Sequence, residues 1–485
     1  MTLFTSKGFQ IIWGIILSVG LSVVFYKFNA QNDMILLAGA VFLVASFIGL
    51  IIFKHVFWNE ISLSHISLSL LIAFSFLGAA VFTYSFGPIQ VFPFRVMWVV
   101  VLALVVIMLI KDREKLTSAF HIPILFLFLL FWIVYGIFAL TWSIELVEGI
   151  KDVIFLTTGV TIAFFVAVVY RRETNYIEFF TIWVVMGLII ALVGLINYRY
   201  QIHLPISRIY NGPSYQQSVP TSVFVNENDF ASFLGISFFF FLSLFKNGGR
   251  NLYRLVGAGG AAASLLLILI TESRANYLAV LFGLAFWFVF LLNRREKVIY
   301  TTIVLTCVPL LMVMFIDKVV VAWKMLRTQI DSLIFVEHSG SNSVDIRENL
   351  LKNVKVFIED TFGFGVGPGN VEIYMKNSAV FDTHQNYNVH NWWAEILVHY
   401  GFLIFTGYIL MFAFLFITLY RIFRIQVLEG QSIISEALIC GLIAFVFSSI
   451  SPNSFMALNY NWLFIAFVIA YVNFHFRDIS KRRTL

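Results

Sequence analysis

Long apolar runs separated by short polar turns dominate the chain. About fourteen runs of near-membrane length lie near 9–27, 34–53, 63–84, 91–110, 122–141, 152–170, 176–198, 229–245, 252–271, 276–292, 298–316, 401–420, 433–450 and 456–476. A helix rises ~1.5 Å per residue, so about 20 apolar residues cover the ~30 Å hydrocarbon layer and each run predicts one crossing. The polar stretch 317–390 is too long for a simple connection and too patterned for disorder. Within it Ile346, Leu350, Val354, Phe357 and Ile358 recur at three- and four-residue spacing, which predicts an amphipathic helix between Ser343 and Asp360. The pattern divides the chain into N-terminal membrane helices (1–198), central helices with a first external loop (199–316), a long loop (317–400) and C-terminal helices (401–485).

Composition turns that pattern into a fold class. With 60% hydrophobic and 12% charged residues in 485, and a mean hydropathy of +0.91, there is too little polar surface to cover a water-soluble globule. The expectation is an all-α polytopic membrane protein of about 12–14 transmembrane helices with one long, partly helical extracytoplasmic loop. The net charge of +6 then bears on topology and needs no nucleic acid to explain it. With both termini in the cytoplasm, nineteen of the 32 Lys and Arg residues fall on predicted cytoplasmic segments, six on short external ones and seven in the long loop. That asymmetry places the long loop outside. Cys307 and Cys440 both sit in apolar runs, where thiols usually serve packing. The first run lacks a small-residue cleavage pattern and is taken as a retained helix.

Candidate chemistry is sparse and lies at the external turns. Trp142-Ser143 suits an interfacial aromatic anchor, and Asp152 suits a helix N-terminus. In Asn226-Glu227-Asn228-Asp229, Asn228 or Asp229 is explained by helix capping or by a substrate contact. Ser273 is a natural N-cap, which puts Arg274 in a first turn where the macrodipole disfavours a cation by ~0.3–1 kcal/mol. Arg274 therefore snorkels to headgroups, pairs with Glu272, or binds an anion. Arg347 falls on the apolar side of the amphipathic helix, where it pairs with Asp345 or Glu348 or meets an anion. Gly363-Phe364-Gly365-Val366-Gly367-Pro368-Gly369 lacks the Lys-Ser/Thr ending of a nucleotide P-loop, which favours a tight reversal over a phosphate cradle.

The stretch from Asp382 to Gly401 carries His384, His390 and His399. His390 shares a helical face with Trp393, Ala394 and Leu397, while His384 precedes that helix and His399 lies at another angle. No pair has the i, i+4 spacing of a helical zinc motif, so no metal is expected.

Taken in order, Trp142-Ser143, Asn226-x-Asn228, Thr271-x-Ser273-Arg274, Arg347, the glycine run and His390-Asn391 with Gly401 eleven residues after the histidine resemble the O-antigen ligase and polymerase family of bacterial membrane glycosyltransferases. The similarity is firmest over about 220–405; Glu227 stands where the family usually has proline, and the family usually has around twelve helices. The resemblance implies a GT-C-like enzyme of the bacterial cytoplasmic membrane. It would take a glycan from an undecaprenyl-pyrophosphate-linked donor on the outer side and pass it to a glycan acceptor, without metal or cofactor. Guanidinium groups hold phosphate in bidentate fashion, which suits Arg274 and Arg347 to the leaving pyrophosphate. An imidazole with a pKa near 6.5 suits His390 to removing the acceptor proton. Arg208, Asn391, Asn228, Ser273 and His384 are supporting candidates. The lipid bilayer and other polysaccharide assembly proteins would be its partners. Polymerisation of repeat units is preferred to ligation of a finished chain. A flippase or transporter would predict internal repeats and midplane charges, and the first and second seven runs show no repeat.

Overall fold

A computed structural model describes residues 62–86, 89–111, 118–314, 327, 343–429, 431–450, 452 and 456–482. The expected runs at 9–27 and 34–53 lie outside the described residues. The protein is all-α and polytopic. Among the described residues, eight helices are long and apolar enough to cross a membrane, and two shorter apolar helices accompany them.

The first described helix, α1 (Leu63–Leu77), starts at Ser62, whose side chain accepts from the His65 N–H. It ends at Gly78 (φ 51°), short of the apolar run's end at 84, because the chain turns there into a small antiparallel hairpin of β1 (Tyr84–Phe86) and β2 (Ile89–Val91). Then follow α2 (Pro93–Lys111), α3 (Pro123–Ala139), α4 (Leu146–Val169), α5 (Glu173–Tyr200), α6 (Glu227–Asn247), α7 (Asn251–Ile270), α8 (Arg274–Phe286, continued by a π turn to Leu291) and α9 (Arg294–Met314). The amphipathic helix α10 (Ser343–Asp360) has the expected bounds, and Leu350, Val354, Phe357 and Ile358 are buried. A short α11 (Val371–Ser378) leads to α12 (Trp392–Glu429), which breaks at Gly401, and the described chain closes with α13 (Ile433–Ser448) and α14 (Asn459–Arg482).

Aromatic packing holds the helices together where aliphatic contacts between apolar surfaces would gain little over lipid. Phe179 stacks on Phe467 at 4.0 Å and Trp183 on Phe240 at 4.6 Å, tying α5 to α14 and α6. Trp132 of α3 lies 5.6–6.4 Å from Tyr408, Tyr400, Trp462 and Trp392, so one indole locates both halves of α12 and α14. At Gly159 a Cβ would stand 2.1 Å from the Trp462 ring, so only glycine lets α4 approach α14 this closely. At the other end of the bundle Glu436, 1% exposed, is held by Lys246 Nζ at 2.9 Å and by Trp287 Nε1 at 2.7 Å. A membrane-buried acid this fully satisfied is a structural group.

Candidate active site

The end of the bundle bearing Trp142 carries the residues singled out in the sequence. The glycine run is a tight reversal: Gly363, Gly365, Gly367 and Gly369 have φ of 80°, 87°, 93° and 65°. Much of its backbone is taken up by α12 and Trp142, which favours the reversal over a phosphate cradle. Val366 N–H donates to Val398 O (2.8 Å), Gly367 N–H to His399 O (3.2 Å), and Trp142 Nε1–H to Gly365 O (3.1 Å). Trp142 is thus a clamp on the loop as well as an aromatic at the rim. The reversal fits into the break in α12, where Gly401 has φ 73° and ψ −175° and a Cβ would stand 2.2 Å from Gly363 O.

Asp152 fastens this joint from the membrane side. Its position corrects the expectation of a helix-terminal charge, since α4 begins six residues earlier, at Leu146, and Asp152 lies buried in the second turn. Its Oδ2 accepts from the Tyr400 hydroxyl at 2.6 Å, its carboxylate takes a hydrogen bond from the Gly369 backbone, and His399 Nδ1 lies 3.8 Å away. One carboxylate therefore ties the arm that carries Arg347 to the arm that carries His390.

His390 is not on the helix, as the spacing to Trp393, Ala394 and Leu397 had predicted. The Asn391 side chain caps α12 by accepting from the Trp393 and Ala394 N–H groups (3.1 and 3.2 Å), which leaves His390 one residue outside. Its backbone sits at φ 52°, a costly conformation for a non-glycine residue, held by a 3.0 Å bond from its N–H to Asn388 Oδ1. The ring hydrogen-bonds the Pro452 backbone, and buried Nδ1 has no protein partner. Proline offers only a carbonyl there, so the ring donates from Nε2 and keeps the Nδ1 lone pair free. Burial, then the charge of Arg347, holds the His390 pKa below its ordinary value, against the Pro452 bond that pulls it up.

Arg347 is partly buried on α10, and its pKa is lowered first by burial and then by the guanidinium of Arg274. The residues that could have neutralised it do not. Glu348 is engaged by Lys352 at 2.8 Å, and among the described residues neither Arg347 nor Arg274 has a carboxylate or hydrogen-bond partner. The structure thus brings Arg274 into the field of Arg347 and Arg347 into that of His390: two cations without a counter-charge among the described residues, and an imidazole held toward its neutral form. Like charges gathered in this way suit an anion with spread negative charge.

Residues 259–409, which contain Arg274, Arg347 and His390, match the family described as O-antigen ligase. The chain is also 34% identical over 408 residues to the teichuronic acid biosynthesis protein TuaE of Bacillus subtilis (strain 168), a match covering 83% of each chain. The chain belongs to the O-antigen ligase family. Both descriptions concern the assembly of cell-surface polysaccharide.

In this member of the O-antigen ligase family the supporting candidates divide. Ser273 precedes α8 as expected, yet its hydroxyl makes no capping bond and donates to Asn228 Oδ1 at 3.0 Å, while Asn276 Nδ2 donates to Ser273 Oγ at 2.9 Å. This chain of contacts steadies the turn that presents Arg274. The cap of α6 is Asn226, whose side chain accepts from the Asn228 and Asp229 N–H groups at 2.9 Å, and not Asn228 or Asp229. Arg208 is drawn away by a two-point bridge to Glu227, at 2.9 and 2.5 Å. His384 is exposed beside Asp382, 3.6 Å from its carboxylate. Asp152, Tyr400 and Pro452 were missed as site-supporting residues. An acid inside an apolar run was the available signal for Asp152, and the Ser451-Pro452-Asn453 break between the last two runs was the signal for Pro452.

Proposed function

We propose that this protein is an inverting, metal-independent glycosyltransferase of the bacterial cytoplasmic membrane. It moves a glycan from an undecaprenyl-pyrophosphate-linked donor to a sugar hydroxyl at the outer face and so polymerises repeat units of a cell-surface glycan of the teichuronic-acid type. The observation that carries the reading is the half-buried Arg347, in the field of Arg274 and of a His390 held toward its neutral form, with no acid among the described residues to balance either arginine. A lipid diphosphate supplies the missing negative charge. In the transfer, the acceptor oxygen bonds to the anomeric carbon as the bond from that carbon to the diphosphate oxygen breaks. The hydroxyl proton passes to His390 Nδ1, and the electron pair leaves with the diphosphate. Arg274 and Arg347 face the charge that grows there. Lowering of the His390 pKa keeps the ring unprotonated, and so able to accept, at neutral pH.

The test is reconstitution of the purified full-length protein with lipid-diphosphate repeat units in excess EDTA. A ladder of products on the carrier is expected, with turnover in His390→Ala lower by ~10²–10⁴-fold. Full activity of His390→Ala removes the proposed base, and loss in EDTA that a divalent metal restores overturns the metal-free mechanism. Transfer of a preformed chain in a single step makes the protein a ligase.

A further inference from the structure

The reversal at 361–366 belongs by sequence to the polar loop, yet it presents two large aromatic rings with almost no protein around them. Phe362 is 90% exposed and Phe364 61% exposed. What lies beside them is the outward face of the membrane helices. Phe402 and Leu403 (55% and 61% exposed) follow the break in α12, and Val134 and Phe138 (61% and 62%) lie on α3. A Cβ on Gly363 would touch the Phe402 ring at 2.8 Å, so the two aromatic surfaces are continuous.

Much of the backbone of the reversal is paired, as backbone removed from water requires. Gly363 O accepts from Phe402 N–H (2.9 Å), Phe364 O from the Tyr135 hydroxyl (2.9 Å) and Gly365 O from Trp142 Nε1–H (3.1 Å). Gly363 N–H and Phe364 N–H are returned to Ile358 O and Thr361 O at 2.8 and 3.0 Å. All three carbonyls thus find donors on membrane helices. Tyr135 lies seven residues inside Trp142 on α3, which corresponds to a depth of roughly 10 Å along a helix.

We propose that the glycine reversal is seated in the lipid leaflet on its side of the membrane, with Phe362 and Phe364 in contact with acyl chains. The long loop is then pinned to the bilayer at a third place, besides its two connections to the helices. The occupant is lipid because the rings extend an existing lipid-facing surface, and because the carbonyls of Gly363, Phe364 and Gly365 are taken up by donors on the membrane helices. The proposal stands independently of the chemistry at His390.

The test is site-directed spin labelling of the full-length protein, with Cys307 and Cys440 replaced by alanine, in vesicles of phosphatidylethanolamine and phosphatidylglycerol. Labels are placed at Phe362→Cys, at Phe364→Cys and, as a reference, at Val380→Cys, which is 68% exposed on the same loop. Labels at 362 and 364 are expected to collide freely with oxygen and to lose access to a water-soluble nickel chelate, whereas the label at 380 keeps that access. Nickel access at 362 and 364 equal to that at 380 overturns the proposal. So does shielding from both quenchers, which would mean that protein covers the rings. The label at 364 gives the same readout if the variant at 362 does not fold.

Discussion

Replacing Asp152 by alanine tests whether one buried acid fastens the two arms of the site. The side chain is 7% exposed, and its loss strands the Tyr400 hydroxyl, which donates to it at 2.6 Å, and the Gly369 N–H. A buried donor left without an acceptor costs about 1–3 kcal/mol, so the two together cost about 2–6 kcal/mol, a large part of the ~5–15 kcal/mol that keeps a domain folded. Asp152→Asn retains one acceptor oxygen and should lose about half as much. Tyr400→Phe removes one donor and leaves the acid bonded to Gly369. The double variant Asp152→Ala/Tyr400→Phe should therefore lose less than the two single variants added together, with a coupling of about 1–3 kcal/mol. The assay is the thermal unfolding midpoint of each variant in detergent, together with proteolysis of the loop between 343 and 391, which should be cut faster in Asp152→Ala. A midpoint for Asp152→Ala within experimental scatter of the parent, or strict additivity with Tyr400→Phe, refutes the anchoring role.

Arg347→Gln removes the like charge that helps to hold the His390 pKa down, so the acid limb of residual activity should move to higher pH, while Arg347→Lys leaves it in place; a limb that does not move separates the two residues. Because the folded-state pKa of His390 is depressed, its contribution to stability is present above the ordinary histidine pKa of ~6.5 and is lost as pH falls through the folded value, and His390→Gln should flatten that part of the stability–pH curve. Gly401→Ala places a methyl 2.2 Å from Gly363 O at a backbone conformation reserved for glycine, so a loss of at least about 2–3 kcal/mol is expected in the unfolding midpoint. Arg208→Ala, which breaks a bridge whose arginine side chain is 49% exposed, should change stability by only about 0–1 kcal/mol in the same measurement, and a larger loss would give the Arg208–Glu227 pair a role beyond the surface.

Periodicity was enough to locate most of the described helices and the amphipathic α10, because burial on one face repeats every three to four residues and leaves its mark locally. It also placed Arg347 on the side that packs inward. It failed at His390, where the helical spacing is real but the helix has not yet begun: Asn391 caps it, and the left-handed backbone turns the ring elsewhere. The role of Asp152 was illegible for a different reason. Its partners Gly369 and Tyr400 lie more than 200 positions along the chain, and no local pattern encodes a hydrogen bond across that distance. Arg208 and Glu227 show the converse. Each looked available on its own, and each is occupied by the other.

The lean of the His390 ring on Pro452, together with the 3.0 Å bond from Trp392 N–H to Ser449 O, has a consequence for biosynthesis. The imidazole is supported by a turn that the ribosome makes some 60 residues after the histidine itself. A nascent chain can therefore thread most of its helices into the bilayer while the imidazole still lacks its rest, and the geometry around His390 is complete only once the turn after α13 has arrived.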